Sequence, residues 1–464
     1  MIRNINETDP LNFEQEPLES NDYTIQEAVK EARRCLQCAV PQCRRGCPIN
    51  NEIPQFIHAL AFGNFGEAAN YIANNSDLPA ICGRVCPWEK QCEGACVLEK
   101  KGKHIEIGKL ERFVADTVMD ADIFPIKSDI KSNGKIAVIG SGPAGITVAY
   151  ELARRNYDVT VFECDSEPGG MLMFGIPAFR LHKNYIYREI DCLQKMGVHF
   201  QYNVKIGQQK SIEDLFAENF EAIFVGIGAS AAWSLGVDND TLPGVVDAQV
   251  FLHQVQQVQM GEADISNLPI NADDSVIVVG AGNVAIDAAR TAIRLGADVT
   301  IVYRRAEQNM KCLPSEYQAA KADGVKFKFY SAPRAVVGKN CVEGLQYEKQ
   351  TILEDAVMVP TGEMGVVPAN KIIAAIGNRP ELDCINALQV KASDEGYISI
   401  TEKPYGMTSR IGVFAAGDIV HKPATVVLAM REGRKTAIGI DRYIQAKHLL
   451  EGIKQFGNAS HLID

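Results

Sequence analysis

KIAVIGSGPAGITVAYELARRNYDVTVFE, residues 135–163, is the stretch on which the fold turns. Four consecutive apolar residues, Ile136 to Ile139, predict a buried strand that runs into Gly140-Ser141-Gly142-Pro143-Ala144-Gly145 and then into an apolar helix. A second strand is predicted to end at Glu163. Each glycine has a mechanical reason: Gly140 permits the tight turn, Gly142 lets the backbone approach a pyrophosphate, and Gly145 lets helix lie against strand. Pro143 and Ala144 open the helix, whose unpaired N–H groups and partial positive charge face the phosphates. Glu163, 18 residues past the last glycine, can accept hydrogen bonds from both hydroxyls of an adenosine ribose. A bare glycine pattern would be weak evidence. Strand, loop, helix, strand and acid in this order predict a dinucleotide site.

The same plan returns at DDSVIVVGAGNVAIDAARTAIRLGADVTIVYRR, residues 273–305, where Gly280 lies 140 residues after Gly140. Gly280 and Gly282 keep their places, the third glycine becomes Ala285, and the terminal acid is replaced by Arg304 and Arg305. A carboxylate there repels a 2′-phosphate, whereas a guanidinium fork binds it through charge-assisted hydrogen bonds. This half is therefore expected to take NADPH, with Lys311 adding a further positive contact; the alternative is a solvated basic patch. Two dinucleotide sites, the acid-ended one first, suit FAD followed by NADPH. Further on, GVFAAGDIVHKPATVVLAMREGRKTAIGIDRYI, residues 412–444, predicts a strand at Val413 to Ala415, then Gly417-Asp418, then a helix from near Thr425. Asp418 can hold a ribityl chain, and the helix start aims its positive end at a flavin ring that gains negative charge on reduction.

The expected architecture is α/β: a helical N-terminal domain (1–130), then two Rossmann-like domains with the NADPH domain (246–375) inserted between the halves of the FAD domain (131–245 and 376–464). The joins fall near 236–248 and 374–382.

The N-terminal domain carries a different chemistry. Eight of the chain's 13 cysteines lie before residue 97, in two groups: Cys35, Cys38, Cys43 and Cys47-Pro48, then Cys82, Cys86-Pro87, Cys92 and Cys96. Thiolates this close repel one another and oxidise unless a metal neutralises them. Zinc sites usually show C-x2-C pairs separated by a long spacer. A C-x2-C start with a closing C-P is the ferredoxin habit, in which the last cysteine of a run often serves the other cluster. Iron–sulfur is the expected occupant, with a zinc-holding docking platform as the alternative. Between the groups, Phe56, Ile57, Leu60, Ala61, Ala68, Ala69 and Ile72 recur at helical spacing. Asn50 or Asn51 is expected to cap the first helix, and Gly63 and Gly66 to mark a turn. Cys164, Cys192, Cys312, Cys341 and Cys384 read as buried or incidental thiols.

Composition narrows the remaining classes. The chain has 464 residues and a net charge of -11, with basic residues in ones and twos, so the footprint of a nucleic-acid binder is missing. No apolar window long enough to span a bilayer is present, and the acidic start MIRNINETDPLNFEQEPLES lacks the features of an export signal. A cytoplasmic protein, with no membrane or nucleic-acid partner, is expected.

With VIGSGPAG, EPGGMLMFGIPAFRL, GAGNVAIDAARTA, VYRR and AAGDIV added to the cysteine groups, the chain from about residue 24 to 447 resembles the glutamate synthase small (beta) subunit family. Relatives in that family are the N-terminal part of dihydropyrimidine dehydrogenase and the large subunit of the NADH-dependent ferredoxin:NADP oxidoreductase. The resemblance implies two interleaved 4Fe-4S clusters: Cys35, Cys38, Cys43 and Cys96 on one, and Cys47, Cys86 and Cys92 on the other. Its last ligand falls on Glu111 in IGKLERF, with Cys82 as the competing candidate. The resemblance also puts Gly170, Met171 and Arg180 near the flavin, and Asn283 and Val284 on NADPH. The implied reaction is hydride transfer from NADPH to the flavin, then single electrons leaving through the clusters, with no catalytic acid or base. A larger electron-accepting subunit must complete the chemistry. Glutamate synthase is favoured, and ferredoxin-linked transhydrogenation or a pyrimidine reductase are the alternatives. A flavin disulfide reductase would need a close cysteine pair beside the flavin, which the five isolated cysteines do not offer.

Overall fold

The computed structural model describes residues 23–121, 133–352 and 358–459, with side chains to 453. The acidic start and both ends of the chain lie outside the described residues. The fold divides into two compact units: one holds Met173–His182 and Ser230–Asn378, the other Asn21–Leu172, Lys183–Ala229 and Arg379–Asp464.

The larger unit begins with the cysteine module, which is helical throughout: Ile25–Ala32, Gln42–Gly46, Ile53–Ala61, Phe65–Ala73, Pro79–Val85 and Ile107–Asp120. Phe56, Ile57, Leu60, Ala68 and Ile72 are buried together with Leu110 and Val114, so the helical period in the sequence is the core of this module. Two details differ from expectation. Glu52, not Asn50 or Asn51, occupies the cap of helix Ile53–Ala61; Asn51 Oδ1 instead accepts the Glu52 amide at 2.9 Å. Gly63, at φ +78°, makes the turn alone, because Gly66 is already inside helix Phe65–Ala73. Packing here is tight: a Cβ on Gly108 would sit 2.6 Å from the Trp88 ring, and one on Gly83 would sit 2.7 Å from the Arg112 amide.

The rest of this unit is a five-stranded parallel sheet, in the order Val413–Ala415, Ala222–Val225, Lys135–Ile139, Asp158–Phe162, His199–Gln201. Both faces of its central strands are covered, as parallel sheets require. Strand Asp158–Phe162 stops one residue short of Glu163. Helix Pro143–Ala153 packs against the long C-terminal helix Val426–Ala459 so closely that a Cβ on Gly433 would lie 2.9 Å from the Ala144 carbonyl oxygen.

A buried ionic network joins the cysteine module to this sheet domain. Arg434 reaches the Asn74 carbonyl at 2.9 Å, Asp77 at 3.6 Å and Glu151 at 3.0 Å, and Arg154 meets Asp77 at 3.3 Å. Arg84 pairs with Asp116 at 2.6 Å and lies 3.3 Å over the Tyr185 ring. Burial pushes Asp77 up to about 7 even with Arg434 beside it, and raises Glu189 to about 8. The network fixes the geometry of the contact, since leaving any one charge unpaired here is costly.

The smaller unit repeats the parallel plan with strands Val245–Asp247, Lys371–Ala374, Ser275–Val279, Asp298–Val302 and Lys326–Lys328. Val276 and Val278 pack on one face with Phe251, Ile286 and Ala289, and Ile277 and Val279 on the other with Val336 and Leu345. An antiparallel sheet of Ser331–Val337, Gly344–Ile352 and Met358–Pro368 covers that second face. No helix among the described residues is long and apolar enough to cross a membrane.

Candidate cofactor sites

The loop at Gly140 separates glycines the protein itself needs from one it does not. Gly140 has φ +92°, and a Cβ there would lie 2.7 Å from the Gly226 oxygen; a Cβ on Gly145 would lie 1.9 Å from the Gly140 oxygen. Gly142, by contrast, has ordinary extended angles (φ -67°, ψ 178°), and a Cβ on it would meet nothing within 4 Å. Beyond the preference for glycine over alanine at a helix N-cap, nothing in the protein requires glycine at that position, and a pyrophosphate lying against the backbone does. Gly282 in the second loop behaves identically, with φ -94° and ψ -178° and open space, while Gly280 has φ +135° and a Cβ that would lie 2.3 Å from the Ala375 oxygen. Ala285 is fully buried, so a methyl replaces the third glycine without loss.

Glu163 is 4% exposed. Its Oε2 accepts the Ser141 amide at 2.9 Å and the Ser141 hydroxyl at 2.5 Å, and its Oε1 accepts the Asp165 amide at 3.0 Å. The carboxylate thus also braces the glycine loop. Ser141 was not singled out in the sequence; it is buried, and its hydroxyl accepts the Gly169 amide at 2.9 Å, tying loop 168–170 to the glycine loop. In the sequence its signal is a serine between two glycines of a phosphate-type loop. Gly170, at φ +51°, brings its Cβ position within 3.2 Å of Gly142 Cα, and Met171 follows, half-buried.

Gly417 and Asp418 come to the same end of the sheet. Gly417 has φ +82°, with its Cβ position 3.0 Å from the Ala144 side chain. Burial raises Asp418 to about 6, and its Oδ1 accepts the Ala424 amide at 3.3 Å. Thr425 Oγ1, at the head of helix Val426–Ala459, is buried with no hydrogen-bond partner among the described residues. Such an orphan is costly unless a ligand satisfies it. Gly140 to Gly145, Glu163, Gly170, Met171, Asp418 and Thr425 all belong to the larger unit and fit a flavin dinucleotide.

In the smaller unit, Asn283 and Val284 open helix Asn283–Arg294, and Arg304 and Arg305 follow strand Asp298–Val302. The Lys311 amide donates to the Ala281 carbonyl at 3.0 Å, so the chain after the arginines folds back onto the glycine loop. Arg304 and Arg305 are exposed, and neither guanidinium pairs with an acid among the described residues. Arg180 also lies in this unit, where it meets Asp287 at 2.6 Å and pairs with Glu316. Its side chain therefore fastens segment Met173–His182 to the helices that follow the second glycine loop.

The cysteines gather into two sets. Cys35, Cys38, Cys43 and Cys96 line one apolar pocket with Ile57 and Ile107. Cys47, Cys82, Cys86, Cys92 and Glu111 form a deeper set linked by mutual electrostatic contact. Burial pushes the Cys43 and Cys47 thiols up to about 11 and Cys92 well above the usual range, and a hydrogen bond with Cys82 followed by burial does the same to Cys86. Glu111, 8% exposed and raised to about 8 by desolvation, has Asn51 Nδ2 at 3.4 Å and no cationic side chain beside it among the described residues. Sulfur and carboxylate donors this buried, with no counter-charge of their own, fit a positively charged metal core. Among the isolated cysteines, Cys192 and Cys312 are buried, Cys384 is half-buried, and Cys164 and Cys341 are exposed; none is disulfide-bonded.

Residues 13–123 match the family model of dihydropyrimidine dehydrogenase domain II, 4Fe-4S cluster, and residues 134–433 match that of pyridine nucleotide-disulphide oxidoreductases. The glutamate synthase (NADPH) small chain of Escherichia coli K12 is 35% identical over 434 residues, covering 90% of this chain and 92% of that one. The chain belongs to the glutamate synthase small-chain family. The NAD-dependent dihydropyrimidine dehydrogenase subunit PreT of E. coli K12 is similarly related, at 34% identity over 91% of this chain and 96% of its own. Mycobacterium tuberculosis FprA, solved in complex with NADPH, shares the two-dinucleotide fold at a TM-score of 0.55 and 19% identity, covering 71% of this chain and 86% of that one. As a member of this family, the chain is an NADPH-dependent flavoprotein oxidoreductase with FAD and 4Fe-4S clusters as cofactors.

The two open glycines yield a direct expectation. Gly142→Ala and Gly282→Ala should each fold, with the Tm of the cofactor-free protein lowered by no more than a few degrees, because the added methyl meets no protein atom and only the N-cap preference for glycine over alanine is lost. Each should weaken its own dinucleotide by at least about tenfold, read as bound FAD for the first and as KM for NADPH for the second.

Proposed function

We propose that this chain is the electron-input subunit of an NADPH-dependent glutamate synthase, passing electrons from NADPH through FAD and two 4Fe-4S clusters to a larger subunit. One observation carries the choice of nucleotide: Arg304 and Arg305 stand without acidic partners where the first dinucleotide loop has Glu163. That choice agrees with the NADPH in the small chains' name and differs from the NAD in PreT's.

On this reading the flavin supplies the conversion of a two-electron donor to one-electron steps. The residues do the rest. Gly142 and the first turn of helix Pro143–Ala153 receive the pyrophosphate, and Glu163 with Ser141 holds that loop at the adenosine end. Asp418 and Thr425 satisfy the polar chain beside the flavin ring, and the amino end of helix Val426–Ala459 favours added negative charge there. Gly282, Asn283, Val284, Arg304, Arg305 and Lys311 hold NADPH. Arg180 acts through Asp287 and Glu316 as a positioning residue. Cys35, Cys38, Cys43 and Cys96 hold one cluster; Cys47, Cys86, Cys92 and Glu111 hold the other.

Mixing the purified chain with a glutamate synthase large subunit tests the assignment. Glutamate formation supported by NADPH and not by NADH is expected. NADPH oxidation with artificial acceptors but no glutamate with that subunit would reassign the partner.

A further inference from the structure

The two cysteine sets differ in how near they come to solvent. In the inner set Cys82, Cys86 and Cys92 are 2%, 8% and 8% exposed and Cys47 is half-buried, whereas Cys35, Cys38, Cys43 and Cys96 are all half-buried and share their pocket with the exposed Leu36. An electron bound for another protein leaves from the set nearer the surface. The surface around that set has a distinct character. Leu36 lines the pocket with these cysteines and is still 58% exposed, and Val40 is 53% exposed. Around them, stretches 30–46 and 97–104 carry eight Lys and Arg residues against two acids, in a chain whose net charge is -11. Arg34 binds the two stretches together through the Lys103 carbonyl at 2.8 Å and the His104 carbonyl at 3.2 Å. The two acids are already committed, Glu31 to Arg34 and Glu99 to His104 at 2.6 Å. Arg45, Lys100 and Lys101 are exposed and pair with no acid among the described residues.

We propose that this apolar spot with its basic collar is the docking surface for the larger subunit of the proposed function, and that the face it receives is acidic and carries a one-electron centre. Depleted charge at the centre and charge at the rim is the anatomy of a protein interface. The collar steers an acidic partner toward the exit cluster while the rest of the acidic chain repels it elsewhere. The electron count closes: each NADPH becomes NADP+ by giving up a hydride, one proton goes to solvent, and the two electrons leave singly through the exit cluster to the docked partner. The proposal rests on Cys35, Cys38, Cys43 and Cys96 being the exit set of the proposed function.

Native cytochrome c and its succinylated form offer the same haem with opposite surface charge, and serve as probes without knowledge of the natural partner. At low ionic strength the wild-type chain is expected to bind and reduce the succinylated form about tenfold better than the native form, with salt erasing the difference. Arg45→Glu, Lys100→Glu and Lys101→Glu together should invert that order and leave NADPH-dependent ferricyanide reduction unchanged. Dissociation constants measured alongside the rates keep the surface testable even in a preparation with incomplete clusters, so a missing cluster counts against the functional reading and not against the surface. A wild-type preference for native cytochrome c, or a preference the triple substitution leaves intact, would overturn the proposal. So would a preference that appears only after removal of acidic residues 1–22, which would make the collar the seat of the chain's own start.

Discussion

Replacing Arg304 and Arg305 together with alanine is expected to raise KM for NADPH about 100-fold while leaving KM for NADH within about twofold. Each guanidinium can make a charge-assisted hydrogen bond to the 2′-phosphate with a net value of about 1.5 kcal/mol, and two such bonds give about 3 kcal/mol, or roughly two powers of ten. NADH has no 2′-phosphate and gains nothing from the pair. Because both side chains are exposed, the preference for NADPH should shrink as salt rises. The flavin spectrum and iron content should not change. An equal rise in KM for both nucleotides would show that the arginines support the fold of the loop and do not read the phosphate.

The second large effect concerns the metal ligands. Cys38→Ala should cut the iron of an anaerobic preparation from about eight atoms per chain to about four, with acid-labile sulfide falling in step. Reduction of protein acceptors should be lost, and ferricyanide reduction by the flavin retained. Glu111→Ala is expected to remove the other half of the iron, and Cys82→Ala to remove none. The two candidates differ in what they lack: Cys82 is hydrogen-bonded to Cys86, while the Glu111 carboxylate is enclosed with only neutral polar neighbours, the Asn51 amide and the Ser76 hydroxyl, and no cation among the described residues. A buried carboxylate in that position calls for a positive partner. Full iron in Glu111→Ala together with half in Cys82→Ala would assign the fourth position to the thiol.

What could be read in the sequence was whatever is local. Both strand-loop-helix units, the helical stripe through Phe56, Leu60 and Ile72, and the strand before Gly417 follow from apolar periodicity and glycine, and the structure forms each of them within a residue or two. Glu111 was marked by family likeness alone, since one glutamate in a helix carries no spacing signal. The partners of Arg180 were not legible, because Asp287 and Glu316 lie 107 and 136 residues away. Arg434 likewise finds the Asn74 carbonyl across 360 residues. Pairings of that kind are fixed by how layers meet, and a single sequence does not reveal them. The cap at Glu52 missed its predicted neighbour because Asn51 turns its side chain onto the Glu52 amide, a one-residue competition that propensity cannot rank.

Helix Gln42–Gly46 is a single turn, yet it carries Cys43 of the outer set and ends on Cys47 of the inner set, whose amide donates to the Cys43 carbonyl at 3.1 Å. If the two cysteine sets hold clusters as proposed, their separation would be set largely by this one short covalent link. Gly46 clamps that link, since any side chain there would strike the Gln91 oxygen at 2.7 Å. Tunnelling falls off steeply with separation, so a rigid strut of this kind would hold the rate of transfer between two such clusters steady.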